Sequence, residues 1–96
     1  MSVRLSPRAR ADLSRIWDDS AERWGADQAD RYIRLLAGGF DRLAEDPARG
    51  LRADEIRKGY FRLSVGSHVL FYRLGAEGGI EVIRILHGRM DFKRHF

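Results

Sequence analysis

The period of the apolar residues changes once along this chain. Up to residue 46 they recur at three- and four-residue steps. From Tyr60 onward they alternate or run together in short blocks. The first period belongs to a helix buried along one stripe, the second to a strand. Two helices followed by consecutive strands, within 96 residues, predict one α+β domain, residues 1–96, with no room for a second.

Val3 and Leu5 alternate with Arg4 and Ser6 in a short strand-like start. Ser6-Pro7 is an N-cap followed by proline at the first helical position. Leu13, Ile16, Trp17, Ser20 and Trp24 then share one helix face, with Asp12, Arg15, Asp18, Asp19, Glu22 and Arg23 on the remainder. Gly25 terminates the helix. In a second helix Ala29, Tyr32, Ile33, Leu36, Phe40, Leu43 and Ala44 keep the spacing. Asp27 and Asp30 sit near its positive end. So short a link makes the pair an antiparallel hairpin. Gly38 and Gly39 interrupt the second helix at about 1 kcal/mol each against alanine. Close approach to the first helix or to a partner would offset that. Pro47 and Gly50 end it.

Residues 47–59 show no period and read as a connecting loop. Tyr60 to Val65 is a strand, Gly66-Ser67 a turn, and His68 to Leu74 a second strand. Gly75, Gly78 and Gly79 mark a tight turn before Ile80 to Leu86. Val82, Ile83 and Ile85 give that last strand apolar side chains on both faces, which predicts a central position. Short turns make these strands antiparallel neighbours. The predicted architecture is a helical hairpin on one face of a small, mainly antiparallel sheet of three to four strands, in the order β-α-α-β-β-β.

Several functional classes are excluded or weakened by what the chain lacks. It has no cysteine, hence no disulfide and no thiolate metal site. His68, His87 and His95 have no close ligand spacing, so neither metal nor cofactor is expected. No P-loop, dinucleotide fingerprint, zincin or nucleophile-elbow motif is present. No apolar run approaches the roughly 20 residues of a membrane span, and the N-terminus lacks the apolar stretch of a signal peptide. The expectation is a soluble cytoplasmic protein without a membrane partner. Charge is uneven. Residues 1–46 carry eight basic and nine acidic side chains, residues 47–96 ten and five. A basic second half suits an acidic partner, either nucleic acid or peptide, or is simply a solvated surface.

His87, with Arg84 before it and Arg89 after it, could serve phosphate chemistry as acid/base and charge stabiliser, or could cap the strand end. Tyr60, Phe61, Phe71 and Tyr72, interleaved with Arg62 and Arg73, could stack on bases. Since one sheet face must cover the helices, Phe61 and Phe71 are expected in the core. Trp17 and Trp24 suit either core or an anchored partner groove.

Six segments in order, L-S-P-R-A-R-A-D-L-S-R-I-W (5–17), A-E-R-W-G (21–25), Q-A-D-R-Y (28–32), L-A-E-D-P (43–47), G-S-H-V-L-F-Y-R (66–73) and I-E-V-I-R-I-L-H-G-R-M-D (80–91), give the chain a family likeness. It resembles the ParE branch of the ParE/RelE toxins of type II toxin–antitoxin modules. The resemblance implies the same β-α-α-β-β-β fold and a cognate ParD-like antitoxin, in a hetero-oligomer of two toxins per antitoxin dimer or higher. Operator DNA would be met only through that antitoxin. It further implies inhibition of DNA gyrase without a catalytic residue, through the C-terminal end.

On this chain the target-binding end would comprise His87, Arg89, Met90, Asp91, Phe92, Lys93, Arg94 and Phe96. The basic ones would supply charge and Met90, Phe92 and Phe96 apolar anchors. An antitoxin surface is expected at Trp17, Trp24, Tyr32 and Leu36 on the hairpin, with Arg62, Arg73 and Arg84 on the basic side. The RelE branch shares the fold but cleaves mRNA on the ribosome with basic sheet residues and a C-terminal Tyr or His. Here Val69 stands where an inner Arg is expected, and the tail has no Tyr. A ribonuclease built on His87, Arg84 and Arg89 is therefore the second reading, and a non-toxic regulatory remnant the third.

Overall fold

A computed structural model describes residues 2–75 and 77–96. Met1, and Ala76 within the turn predicted at Gly75–Gly79, lie outside them. Strand β1 (Val3–Leu5) leads into helices α1 (Pro7–Trp24) and α2 (Ala26–Glu45). A single 3-10 turn at Pro47–Arg49 precedes β2 (Leu51–Arg52), β3 (Tyr60–Val65), β4 (His68–Leu74) and β5 (Ile80–His87). A second 3-10 turn, Phe92–His95, forms the C-terminal tail. The helices lie on one face of a five-stranded sheet of order β1-β5-β4-β3-β2, antiparallel except where β1 runs parallel to β5.

The ends of α1 are where local chemistry placed them. Ser6 Oγ accepts from the Ala9 N–H at 3.0 Å, with Pro7 as the first helical residue. Gly25 closes α1 and opens α2. Its φ of +91° is reached cheaply only by glycine, which turns the chain in one residue and sets the helices antiparallel. Helix α2 runs unbroken through Gly38 and Gly39. The close approach there is to the sheet, not to α1: a Cβ on Gly39 would stand 2.7 Å from Val65 Cγ2.

Two points differ from the sequence reading. The stretch expected to be a loop contributes β2, a two-residue edge strand pairing Leu51 with Arg62 and Arg52 with Phe61. So short a strand leaves no detectable period. Strand β4 takes the middle of the sheet, while β5 is flanked on both sides only at its start, because β1 pairs with it no further than Val82.

Apolar side chains pack on both faces. Leu36, Leu43, Leu70, Tyr72, Val82 and Ile85 form the core beneath the helices, and Phe61 stacks on Tyr72 within it. Tyr60, Val69, Phe71 and Leu86 form a second core on the opposite face, covered by Ala53, Ile56, Phe92 and Phe96. The tail holds that cover. Phe71 meets the rings of Phe92 and Phe96 at 4.9 and 5.1 Å between centroids, both edge-on, and Tyr60 meets Phe96 at 5.7 Å. Edge-on aromatic pairs at these separations are favourable beyond the area they bury. Among the described residues no helix is long and apolar enough to cross a membrane.

Candidate functional site

Beyond Val82, side chains from α1 replace the missing strand partner of β5. Ser6 donates its N–H to the Val82 carbonyl and its hydroxyl to the Ile83 carbonyl, at 2.9 and 2.7 Å. Asp12 Oδ2 accepts the Ile85 N–H at 2.9 Å. The β4–β5 register slips between Phe71 and Tyr72, skipping Ile83. Such a bulge re-aims the side chain beside it. Arg84 follows the bulge and reaches back to α1, where Nε and Nη2 donate to the two Asp12 oxygens at 2.8 and 3.0 Å. Its Nη1 donates to the His95 carbonyl at 2.8 Å, tying the tail to the same point. Asp12 and Arg84 are 2% and 6% exposed, so the pair is a buried bidentate bridge. The Asp12 carboxylate holds the Arg84 guanidinium above its ordinary pKa, burial opposing it.

A groove of about 510 Å³ opens beside this stitched edge. Arg15, Asp19, Arg23 and Trp24 of α1 form one wall, with Gln28 and Tyr32 of α2 at its end. Ser67 of the β3–β4 turn, His68 at the start of β4, the end of β5 and Met90 form the other. Trp24 is 65% exposed and Met90 41%, so the groove has apolar anchors at its mouth. The volume, and the combination of apolar side chains with convergent polar and charged groups, are those of a binding site. His68 and His87 are direct cross-strand partners, their rings edge-on at 5.2 Å. Tyr32 accepts the Ser67 N–H at 3.0 Å, and its hydroxyl shares a hydrogen bond with His68 Nδ1 at 2.5 Å. Burial, and next the neighbouring His87, hold the His68 pKa below its usual range, with Asp12 opposing.

The residues nominated from sequence separate here. Trp24 and Tyr32 line the groove, as does His87. Trp17 is half-buried and donates its indole N–H to Asp30 at 2.9 Å, fastening α1 to α2. Leu36 is wholly buried in the core, so it offers no surface to an antitoxin; it sits on the stripe of α2 that faces the sheet. The three arginines do not converge. Arg73 pairs with Glu81 at 2.8 Å, at the sheet end where Arg4 also approaches that carboxylate. Arg62 borders a shallow depression on the opposite face, beside Phe92. Arg84 is spent on Asp12 and is no rim cation.

In the tail, Arg89, Met90, Asp91, Lys93 and Arg94 are exposed, but Phe92 and Phe96 are half-buried against the sheet and are not free anchors. Of the ribonuclease set, Arg84 and His87 both line the groove, Arg84 paired with Asp12, while Arg89 has an exposed side chain and its N–H on His87. Sequence reasoning passed over Asp12 and His68. Asp12 had a signal: it precedes Ile16 and Ser20 at four-residue steps, on the buried stripe of α1. His68 had none, because its meaning comes from facing His87 across two strands.

The chain matches, over residues 3–92, the family model described as ParE toxin of type II toxin-antitoxin system, parDE. Toxin ParE1 of Mycobacterium tuberculosis is 54% identical over 91 residues, covering 95% of this chain and 93% of that protein. Toxin ParE1 of Caulobacter vibrioides is 46% identical over 92 residues, covering 96% and 94%. Among solved structures, the chromosomal ParDE system of P. aeruginosa superposes with a TM-score of 0.79 at 20% identity, covering 91% of this chain and 95% of that one. The toxin–antitoxin complex RelBE2 of Mycobacterium tuberculosis superposes at 0.59 and 23%, covering 90% and 88%. At those identities the solved structures speak for the fold alone. The family match and the ParE1 relatives carry the assignment: this chain belongs to the ParE toxins of type II toxin–antitoxin systems.

Proposed function

We propose that this toxin acts by binding, not by catalysis: that it inhibits DNA gyrase and is silenced by a ParD-like antitoxin lying along the groove. The observation that carries the binding mode is the groove itself. It couples apolar anchors, Trp24 and Met90, to a rim of charged side chains from α1, Arg15, Asp19 and Arg23. An amphipathic segment that orders on binding needs that combination of apolar anchors and charged rim.

The chemistry argues against bond cleavage. The Arg89 N–H donates to His87 Nδ1 at 3.1 Å, so neutral His87 carries its proton on Nε2. His87 therefore keeps no free lone pair to deprotonate a 2′-hydroxyl, and His68 Nδ1 is held by the Tyr32 hydroxyl. Arg84, the guanidinium that lines the groove with His87 among the residues of that set, is already paired with Asp12. For the target, the exposed cations Arg89, Lys93 and Arg94 suit a contact of complementary charge.

The test is a DNA supercoiling assay with purified toxin and gyrase, with and without the antitoxin. Inhibition, or trapped cleaved DNA, that antitoxin relieves is the expected outcome. Normal supercoiling at stoichiometric excess would remove gyrase as the target. New 5′ ends on translated mRNA, mapped by primer extension and lost in His87→Ala, would replace the binding reading with ribonuclease.

A further inference from the structure

Two histidines meet at the floor of the groove, and their surroundings fix what they can offer a ligand. His68 and His87 face each other across β4 and β5. Each Nδ1 is engaged from within the chain, by the Tyr32 hydroxyl and by the Arg89 N–H. His87 Nε2 therefore carries hydrogen and is a donor, and His68 adds an Nε2 donor whenever it is protonated. With His68 protonated the pair presents two N–H groups and no acceptor, which selects an oxygen anion.

The charges around the pair make it the variable element of the groove. From α1, Asp12 faces His68 but is shared between Arg84 and Arg15, the latter at 3.7 Å. Arg23 lies by Trp24 on the same wall as Asp19. From α2 comes Tyr32, from the tail His95 and the Arg89 backbone. Arg15, Arg23 and Arg84 against Asp12 and Asp19 leave the walls with one positive charge in excess, to which a protonated His68 adds a second. Burial keeps His68 neutral in the free protein at neutral pH.

Resting on the antitoxin reading above, we propose that the His68–His87 pair is the anion-recognition point of the groove: its N–H donors seat a carboxylate of an acidic antitoxin segment, and the grip tightens as the His68 imidazole takes up a proton. A seated carboxylate favours the charged ring, so binding and proton uptake reinforce each other. The carboxylate itself titrates near 4.3, which puts the window between about pH 5 and 7.5. Within it, affinity rises by up to about tenfold per pH unit for each proton taken up. An antitoxin held this way would be released more readily as the medium turns alkaline.

The experiment is calorimetric titration of the full-length toxin with the C-terminal segment of the antitoxin with which it co-purifies, at pH 7.5, 6.5 and 5.5. Tighter binding at each lower pH is expected, with an enthalpy that changes with the buffer's ionisation heat. His68→Gln and His87→Gln keep a side-chain donor but cannot titrate, so the double variant should bind with a flat pH profile. An affinity that is flat or falls on acidification in the wild type, or a wild-type slope surviving in the double variant, overturns the histidine proposal while leaving the groove as the antitoxin site. Absence of binding at every pH overturns the docking reading, and this proposal with it. Should the variants unfold, NMR titration of the wild-type imidazole Cε1–H resonances decides. A histidine pKa raised on complex formation supports the proposal, and unchanged values overturn it.

Discussion

Asp12 shows how one residue can stand in for a piece of secondary structure. Its carboxylate accepts an N–H that a neighbouring strand would otherwise take, and fixes the guanidinium that the bulge throws outward. Removing it strands two buried groups together, the Ile85 N–H and the Arg84 cation. Breaking a buried pair from one side costs about 3–5 kcal/mol. Asp12→Ala should therefore lose close to that amount in urea unfolding. Arg84→Met should lose less, because the exposed Arg15 can move the remaining distance to Asp12. The double change Asp12→Leu, Arg84→Met should recover part of the Asp12→Ala loss, with about 1–3 kcal/mol still missing for the orphaned N–H. Equal losses in all three variants would mean that packing, not charge, governs the site. The position was within reach of the sequence, since a carboxylate on a buried helical stripe needs a partner. Which partner was out of reach, because the seventy-odd residues between Asp12 and Arg84 are bridged only by the fold.

Among the elements, α2 carries the sharpest sequence signal and the sharpest local contradiction to it, the adjacent glycines. The structure separates them. Gly39 lies over β3 and β4, where a Cβ would press on Val65 and Leu70, whereas Gly38 has nothing within 4 Å. Gly39→Ala should destabilise by about 1–3 kcal/mol through overpacking, and Gly38→Ala should stabilise by up to about 1 kcal/mol through helix propensity. Opposite shifts of thermal midpoint in the two variants are the expected result; shifts of the same sign would mean that α2 can slide on the sheet. The helices, β3, β4 and β5 were legible because their apolar period is local and long enough to count. Strand β2 was not, since two exposed residues joined to β3 have no period of their own. The early end of β1, which leaves the rest of β5 to the groove, is a matter of where chains stop pairing and leaves no pattern either.

At the scale of the whole molecule, the tail changes what the second half of the chain can do. Four consecutive buried residues in β4, Val69 to Tyr72, already require cover on both faces of the sheet. The hairpin covers one. The tail covers the other with Phe92 and Phe96, so its apolar residues hold the fold while its charged ones stay outside. The expected gripping end is therefore divided between two tasks, and substitution can separate them. Phe92→Ala and Phe96→Ala should each lower stability by about 1–3 kcal/mol, below the loss for a fully buried ring because both remain partly exposed. Arg89→Ala, Lys93→Ala and Arg94→Ala should each leave stability within about 0.5 kcal/mol of the parent. If the cations are the target contact, their combined loss should weaken gyrase inhibition at unchanged thermal midpoint, and most visibly at low salt, where exposed charges act furthest. Inhibition that survives the triple change would move the contact from the tail's charges to another surface. Inhibition that falls only with the phenylalanine variants, in step with their stability, would show that the tail serves the toxin as cover for its second core.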